Sequence, residues 1–286
     1  MSARPPDSQL PPGGGPAAPA PQGRAHVRGP GRPTGAGGGA ALKAVLATCA
    51  LLALWQWGVP WSGVPAYVLP VPSAVATRFA QTFSLQMHHL GVTSLTTLAG
   101  LALSLLVGVL LALTVVYVRG LKLFVLPLLS AFNGIPKIAL APLFVIWLGL
   151  GPQSKVLLAF LLAIFPIFVG ALSGLSEIEA DVLDLSRLAG GTLWRIFLKV
   201  RLMHALPYLT DALKVAIPLA LAGSIVGEFI GGNAGIGYLI LTAQFNMDVP
   251  LVFAALLSLT LFTTAGIAAV ALIERFFLRW MPSRRS

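Results

Sequence analysis

Ionisable residues are scarce in this sequence, so each one that interrupts an apolar run is a candidate for chemistry. Nine acidic residues occur in 286 positions, and four of them, Glu177, Glu179, Asp181 and Asp184, fall within eight positions. Arg187, Arg195, Lys199 and Arg201 follow at once. A second set consists of isolated charges inside apolar stretches: Lys137, Lys214 and Glu228. Such groups are costly in lipid, so they pair with one another, face water or mark a solute path. A salt bridge between Lys137 and Glu228, within one chain or between two, would relieve the cost for both. The alternative role for Lys137 is to attract an anionic solute. Lys214 lies roughly 21 Å before Glu228 along a helix, so those two cannot pair within one span.

Other candidate chemistries fit less well. His88 and His89 are adjacent and lack an evident third ligand, which points to an interfacial turn rather than a metal site. The run GGNAGIG at 231–237 has the wrong glycine order for a dinucleotide fingerprint and precedes an apolar run, so it reads as an outer or gate-side loop. A Gly-x-x-x-x-Gly-Lys-Ser/Thr phosphate loop does not occur, so ATP is not expected to bind this chain. No nucleophile–base constellation stands out. Cys49 sits in an apolar run, cannot form an internal disulfide, and is expected to be a small packing residue.

The elements that must position these groups are apolar helices. Only 10% of the residues are charged and the mean hydropathy is +0.87, against about 25% charged in soluble domains. The expected class is an all-α integral membrane protein. A bilayer core needs about 20 apolar residues per helix. Val92–Val118, Val156–Leu175 and Val249–Ile273 carry no charge over 27, 20 and 25 residues. Ala41–Val59, Leu123–Leu150 and Tyr208–Ile230 complete six spans, Leu123–Leu150 being interrupted at Pro127, Pro136, Lys137 and Pro142. Residues 1–40 are Pro/Gly/Ala-rich and basic and are expected to be a disordered tail; 41–280 form the transmembrane domain and 281–286 a short C-terminal tail. Between the first two spans, Ser73 is expected to cap a surface helix bearing Val75, Phe79 and Phe83 every four residues. Gly100, Ser104, Gly108 and Ala112, and again Gly170 and Gly174, recur at the spacing that lets helices approach closely in lipid.

The net charge of +10 is read as topology before nucleic-acid binding, since little polar surface exists to present bases to a nucleic acid. With the N-terminus inside, 15 of the 19 Lys and Arg residues fall on the inner side. Arg78 and Lys155 fall outside, and Lys137 and Lys214 lie within spans. The C-terminus is then also cytoplasmic, and the charged stretch is the largest cytoplasmic loop. Within it, Ala180–Ala189 is expected to be a short helix with Glu177, Asp181 and Asp184 on one face and Val182, Leu185 and Ala189 on another. Gly190 and Gly191 are suited to ending it, and Thr192 to capping a second helix over LWRIFLKVRLM. Helix, glycine corner and helix form a shape able to dock on a partner, or simply a solvated positive-inside loop.

The loop resembles the coupling loop of ABC-importer permeases, the EAA loop. Asp184-Leu185-Ser186 stands at the Glu-Ala-Ala position, Gly190 follows after three residues, and Val200-Arg201-Leu202-Met203 follows nine residues later at the Ile-x-Leu-Pro position. The glycine and the spacing match; the acid is shortened, both alanines are replaced, and Met203 stands where proline is usual. VLPVPSAVA (68–76), HLGVTSLTTLAG (89–100), IPKIALAPLFVIWLGLG (135–151), SKVLLAFLLAIFPI (154–167) and GEFIGGNAGIGYLILTAQ (227–244) are similar, in order, to blocks of the nitrate/sulfonate/taurine permease branch.

The resemblance implies an ABC type I importer permease fold of about six transmembrane helices in the bacterial cytoplasmic membrane. It implies a second permease copy, two cytoplasmic ATPase subunits that hold ATP and Mg2+, and an extracytoplasmic binding protein that delivers the solute. Asp184, Ser186 and Gly190 would mark the core of the contact with the ATPase, and Leu202 would close it. The expected solute is a sulfonate, nitrate, taurine or related anion. A permease for a vitamin precursor such as a pyrimidine or riboflavin, an ion-coupled secondary transporter, and a membrane-bound enzyme are the alternatives.

Overall fold

The computed structural model describes residues 37–118, 120–178 and 180–277. The expected tail over residues 1–36, the last residues from 278, and Arg119 and Glu179 lie outside them. Helix α1 (Gly37–Trp61) already begins inside the range assigned to the tail. The chain divides into two compact units, residues 1–49 and 50–286. In the first, Cys49 is exposed on α1 rather than packed, which corrects the expectation for it. Leu42, Val45, Leu46, Leu51 and Leu54 are exposed along α1, so these side chains are left for lipid or a partner rather than for a core, while Val59 near its end is buried.

The second unit continues with α2 (Pro72–Gln81), α3 (Phe83–Tyr117), α4 (Leu121–Gly134), a 3-10 turn at Lys137–Leu140 and α5 (Ala141–Leu148). There follow α6 (Pro152–Ser176), α7 (Ala180–Leu188), α8 (Leu193–Ile196), a π turn at Phe197–Arg201, α9 (Leu202–Gly231), α10 (Ile236–Phe245) and α11 (Val249–Phe277). Among the described residues, five helices are long and apolar enough to cross a bilayer. The sixth expected span is bent into two helices: α4 and the Lys137–Leu148 segment meet at 78°, the geometry of a broken span or of a re-entrant loop. The break follows from Pro136, which holds Ile135 extended at ψ 133° and cannot donate a helical hydrogen bond.

Two other expectations are corrected. Helix α2 is capped by Val71 with Pro72 in its first turn, not by Ser73. The Ser73 N–H and hydroxyl instead meet the Gln56 amide, both at 3.0 Å. Helix α3 starts nine residues before Val92, because Gln86 is satisfied inside the bundle: its amide donates to Thr82 Oγ1 at 2.7 Å and accepts from Ser258 Oγ at 2.6 Å. The stretch around His88 and His89 is therefore helical, not a turn.

The core is a close stack of α3, α6 and α9, and the small residues create it. A Cβ on Gly100 would lie 2.5 Å from the Ala159 methyl, one on Gly170 2.5 Å from that of Ala212, and one on Gly223 2.6 Å from the Leu158 carbonyl oxygen. Ser104 Oγ spans the α3–α6 seam to the Phe160 carbonyl at 2.9 Å. Leu158, Ile167 and Phe168 fill the seam and are fully buried. In lipid such contacts gain by packing rather than by escape from water, so backbone proximity is the stabilising quantity.

Candidate functional site

At one end of the bundle lies the charged loop. Helix α7 stops at a Schellman cap: the Gly191 N–H donates to the Ser186 carbonyl at 3.0 Å, and Gly190 takes the left-handed conformation at φ 77°. Thr192 Oγ1 then accepts from the Arg195 N–H at 3.4 Å and starts α8. The corner that results is apolar outside. Leu185, Leu188 and Trp194 are 69%, 86% and 67% exposed. Beneath it the limb is fixed to the bundle. The Phe197 ring contacts those of Trp194 and Tyr117 at 5.7 and 6.5 Å, and the Arg201 guanidinium lies 5.2 Å from the Tyr117 ring centre. Tyr208 donates to Glu177 Oε2 at 2.9 Å, and His204 Nδ1 to the Gly174 carbonyl at 2.8 Å. Those contacts make the corner an extension of α6 and α9.

Asp184, Ser186 and Gly190 come together here, within one turn of α7 and its cap. Asp184 is exposed, and Ser186 commits its hydroxyl to the Val182 carbonyl at 2.7 Å. Leu202 is not at the corner; it is half-buried at the foot of α9, beyond α8 and the π turn.

The two intramembrane charges are not brought together within the chain. Lys137 Nζ donates to Asn133 Oδ1 at 2.6 Å in the break between α4 and α5. Both line an open cleft of about 740 Å³ shared with Phe165, Tyr208 and Asp211. Glu228 faces the opposite way, toward α3 and α10. Lys214, set apart from Glu228 as expected, pairs with Asp211 at 2.9 Å and with Glu274 of α11 at 2.5 Å.

Sequence reasoning missed what surrounds Glu228, which is 1% exposed. Thr93 donates to its Oε1 at 2.9 Å and the Gly237 N–H to its Oε2 at 2.7 Å. Thr93 Oγ1 accepts the Ile236 N–H at 2.8 Å, and His89 Nδ1 accepts that of Gly235 at 3.1 Å. Lys155, assigned to an outer loop by charge counting, is instead 4% exposed and donates to the Ala234 carbonyl at 3.3 Å. One signal was present: an acid three residues before the glycine-rich run at 231–237, with threonines at 93, 96 and 97 on a largely apolar helix.

The fold and its corner define a class: a multi-pass helical membrane protein with a rigid knob projecting from one end. The chain belongs to the family described as binding-protein-dependent transport system inner membrane component, whose model matches residues 104–281. It is thus an ABC-importer permease, a transport subunit of the inner membrane, as the loop's resemblance implied, and the secondary-transporter and enzyme alternatives fall away. It is 36% identical to the riboflavin transport system permease protein RibX of Chloroflexus aurantiacus over 82% of this chain and 88% of that one. Identity is also 36% to the formylaminopyrimidine transport permease protein ThiX of Halalkalibacterium halodurans, over 84% and 96%. The putative aliphatic sulfonates transport permease protein SsuC of Bacillus subtilis is 26% identical over 85% and 88%. Among solved structures, an inward-facing MetNI methionine ABC transporter shares the fold with a TM-score of 0.54 and 24% identity, covering 65% of this chain and 91% of that one.

Proposed function

We propose that this permease works as two copies carried by two cytoplasmic ATPase subunits, which bind ATP and Mg2+, and served by a binding protein on the other side. Asp184, Ser186 and Gly190 form the centre of each ATPase contact, with Leu202 transmitting it to α9. The observation that carries this reading is the apolar corner. Leu185, Leu188 and Trp194 stand exposed around a glycine cap at the end where Lys199 and Arg201 gather. A rigid apolar projection with a charged rim is suited to a groove on a soluble partner. Closure of the ATPase pair would displace both corners and switch the bundle between inward-open and outward-open states.

A Cβ on Gly190 would meet nothing within 4 Å, so a substitution there acts on the backbone and on whatever docks outside. Gly190→Trp is expected to insert normally yet abolish solute-stimulated ATP hydrolysis in the reconstituted transporter. Normal stimulation would sink the coupling assignment.

The cargo is a small solute. A sulfonate, nitrate or taurine-like anion is favoured by Lys137, a cation in the open cleft. A heteroaromatic vitamin precursor is the second reading, favoured by the 36% identity to permeases named for riboflavin and formylaminopyrimidine. Uptake by the reconstituted complex, competed in turn by an alkanesulfonate and by riboflavin, separates the two.

A further inference from the structure

The polar groups around Glu228 form one device. Helix α10 begins deep in the protein, with Ile236 fully buried. The first N–H groups of any helix lack partners in their own helix, and leaving them unpaired away from water is expensive. Here three consecutive donors, those of Gly235, Ile236 and Gly237, are each met by a side chain from another element: His89 and Thr93 of α3 and Glu228 of α9. The carboxylate gains in turn. It accepts two hydrogen bonds, lies at the positive end of the α10 dipole, and has Lys155 within electrostatic range.

The glycines are shaped to this carboxylate. Gly235 has φ 115°, which side-chain-bearing residues rarely adopt, and a Cβ there would collide with the Glu228 carboxyl group. A Cβ on Gly237 would lie 2.9 Å from Glu228 Cβ. Lys155 closes the other side: it holds the Ala234 carbonyl, and its stem packs on Gly227, where a Cβ would meet its Cγ at 3.1 Å. Apolar packing completes the arrangement, with Ile236, Leu239 and Ile240 against Leu221 of α9 and Leu251 of α11.

We propose that Glu228 and Thr93, with His89, are positioning residues that lock the first turn of α10 to α9 and α3, so that α10 moves with the bundle instead of opening as a separate flap. The helical run from Trp194 to Gly231 joins this lock to the corner at the opposite end. Over 38 residues it reaches about 57 Å at the helical rise. A displacement of the corner would thereby reach α10 directly. That consequence rests on the coupling reading; the lock itself does not.

The test uses the complete transporter in proteoliposomes, with Cys49 replaced by serine and Ile236→Cys as the reporter. A membrane-impermeant maleimide is expected to label this cysteine slowly. Glu228→Gln, which cannot accept from both partners, and Thr93→Val are each expected to raise the labelling rate about tenfold or more, as loss of a hydrogen bond to a charged group should. Thr93→Ser is expected to restore the slow rate and solute uptake, which a merely space-filling threonine would not require. Gly190→Trp is expected to keep the slow rate even as it removes stimulated hydrolysis, so failure of the corner reading leaves the labelling result standing. Unchanged labelling in Thr93→Val, or equal rates in Thr93→Ser and Thr93→Val, would overturn the lock.

Discussion

Glycine does two different jobs in this chain, and substitution separates them. Gly91 lies in α3 where an added Cβ would meet nothing within 4 Å, whereas on Gly223 it would lie 2.6 Å from the Leu158 carbonyl oxygen and 2.8 Å from Ala159 Cα. Gly91→Ala is expected to leave thermal stability in detergent unchanged or slightly raised, by up to about 1 kcal/mol of helix propensity. Gly223→Leu is expected to part α6 from α9, costing about 1–3 kcal/mol or more through overpacking, seen as a lower melting temperature. The close-packing role was legible in sequence, because a four-residue repeat of small residues is a local pattern. The setting of Glu228 was not. Its partners Thr93 and Lys155 come from helices 135 and 73 positions away, and only the α3–α6–α9 stack makes them neighbours. Lys155 misled for the same reason: charge counting treats a lysine as a solvated loop residue and cannot see the carbonyl and carboxylate that await it.

At the scale of elements, the break between α4 and α5 places Lys137 and Asn133 beside the cleft. Pro136 supplies the break, since a proline disfavours helical geometry in the residue before it. Pro136→Ala would let Ile135 join a continuous helix and carry Lys137 away from the cleft. The expected outcome is reduced uptake with ATP hydrolysis still responsive to the ATPase–permease contact, checked by a spin-label pair across the break that reports a longer separation than in the parent. Reduced uptake with an unchanged separation would locate the effect elsewhere. The prolines were visible in sequence and marked the span as interrupted; the 78° angle was not, because it depends on what α5 packs against, namely Leu158 of α6 under Phe144. The α7 corner was the most legible element. Its glycine pair and its capping threonine are local features, and each formed where local chemistry placed it; Glu177, expected on the acidic face of the same helix, instead caps the end of α6 and accepts from Tyr208.

The whole molecule's topology turns on parity. Five crossings would put the two termini on opposite sides of the membrane and six would put them on the same side. The broken α4–α5 pair decides. Its start lies with the corner: Lys122 lines a cavity with Ser176, at the end of α6, and Arg201. Its end lies at the other extreme, where Leu150 packs on Gly231 and Lys155 reaches Ala234. The pair therefore runs the length of the bundle despite its bend, and α6 returns. Counted as one span, the pair brings the five long apolar helices of the described residues to six, the number the charge asymmetry favours, in which 15 of 19 basic residues gather on the side assigned to the cytoplasm. In a Cys49→Ser background, Leu150→Cys, at a site 64% exposed, is expected to react with an impermeant thiol reagent added to intact cells. Leu188→Cys and Trp194→Cys at the corner are expected to react only after the membrane is opened. Labelling of Leu150→Cys and Leu188→Cys from the same side would mean that the broken pair dips into the bilayer and returns. The corner and the Glu228 lock would then be misassigned to opposite faces, and the route proposed between them would fail with the topology.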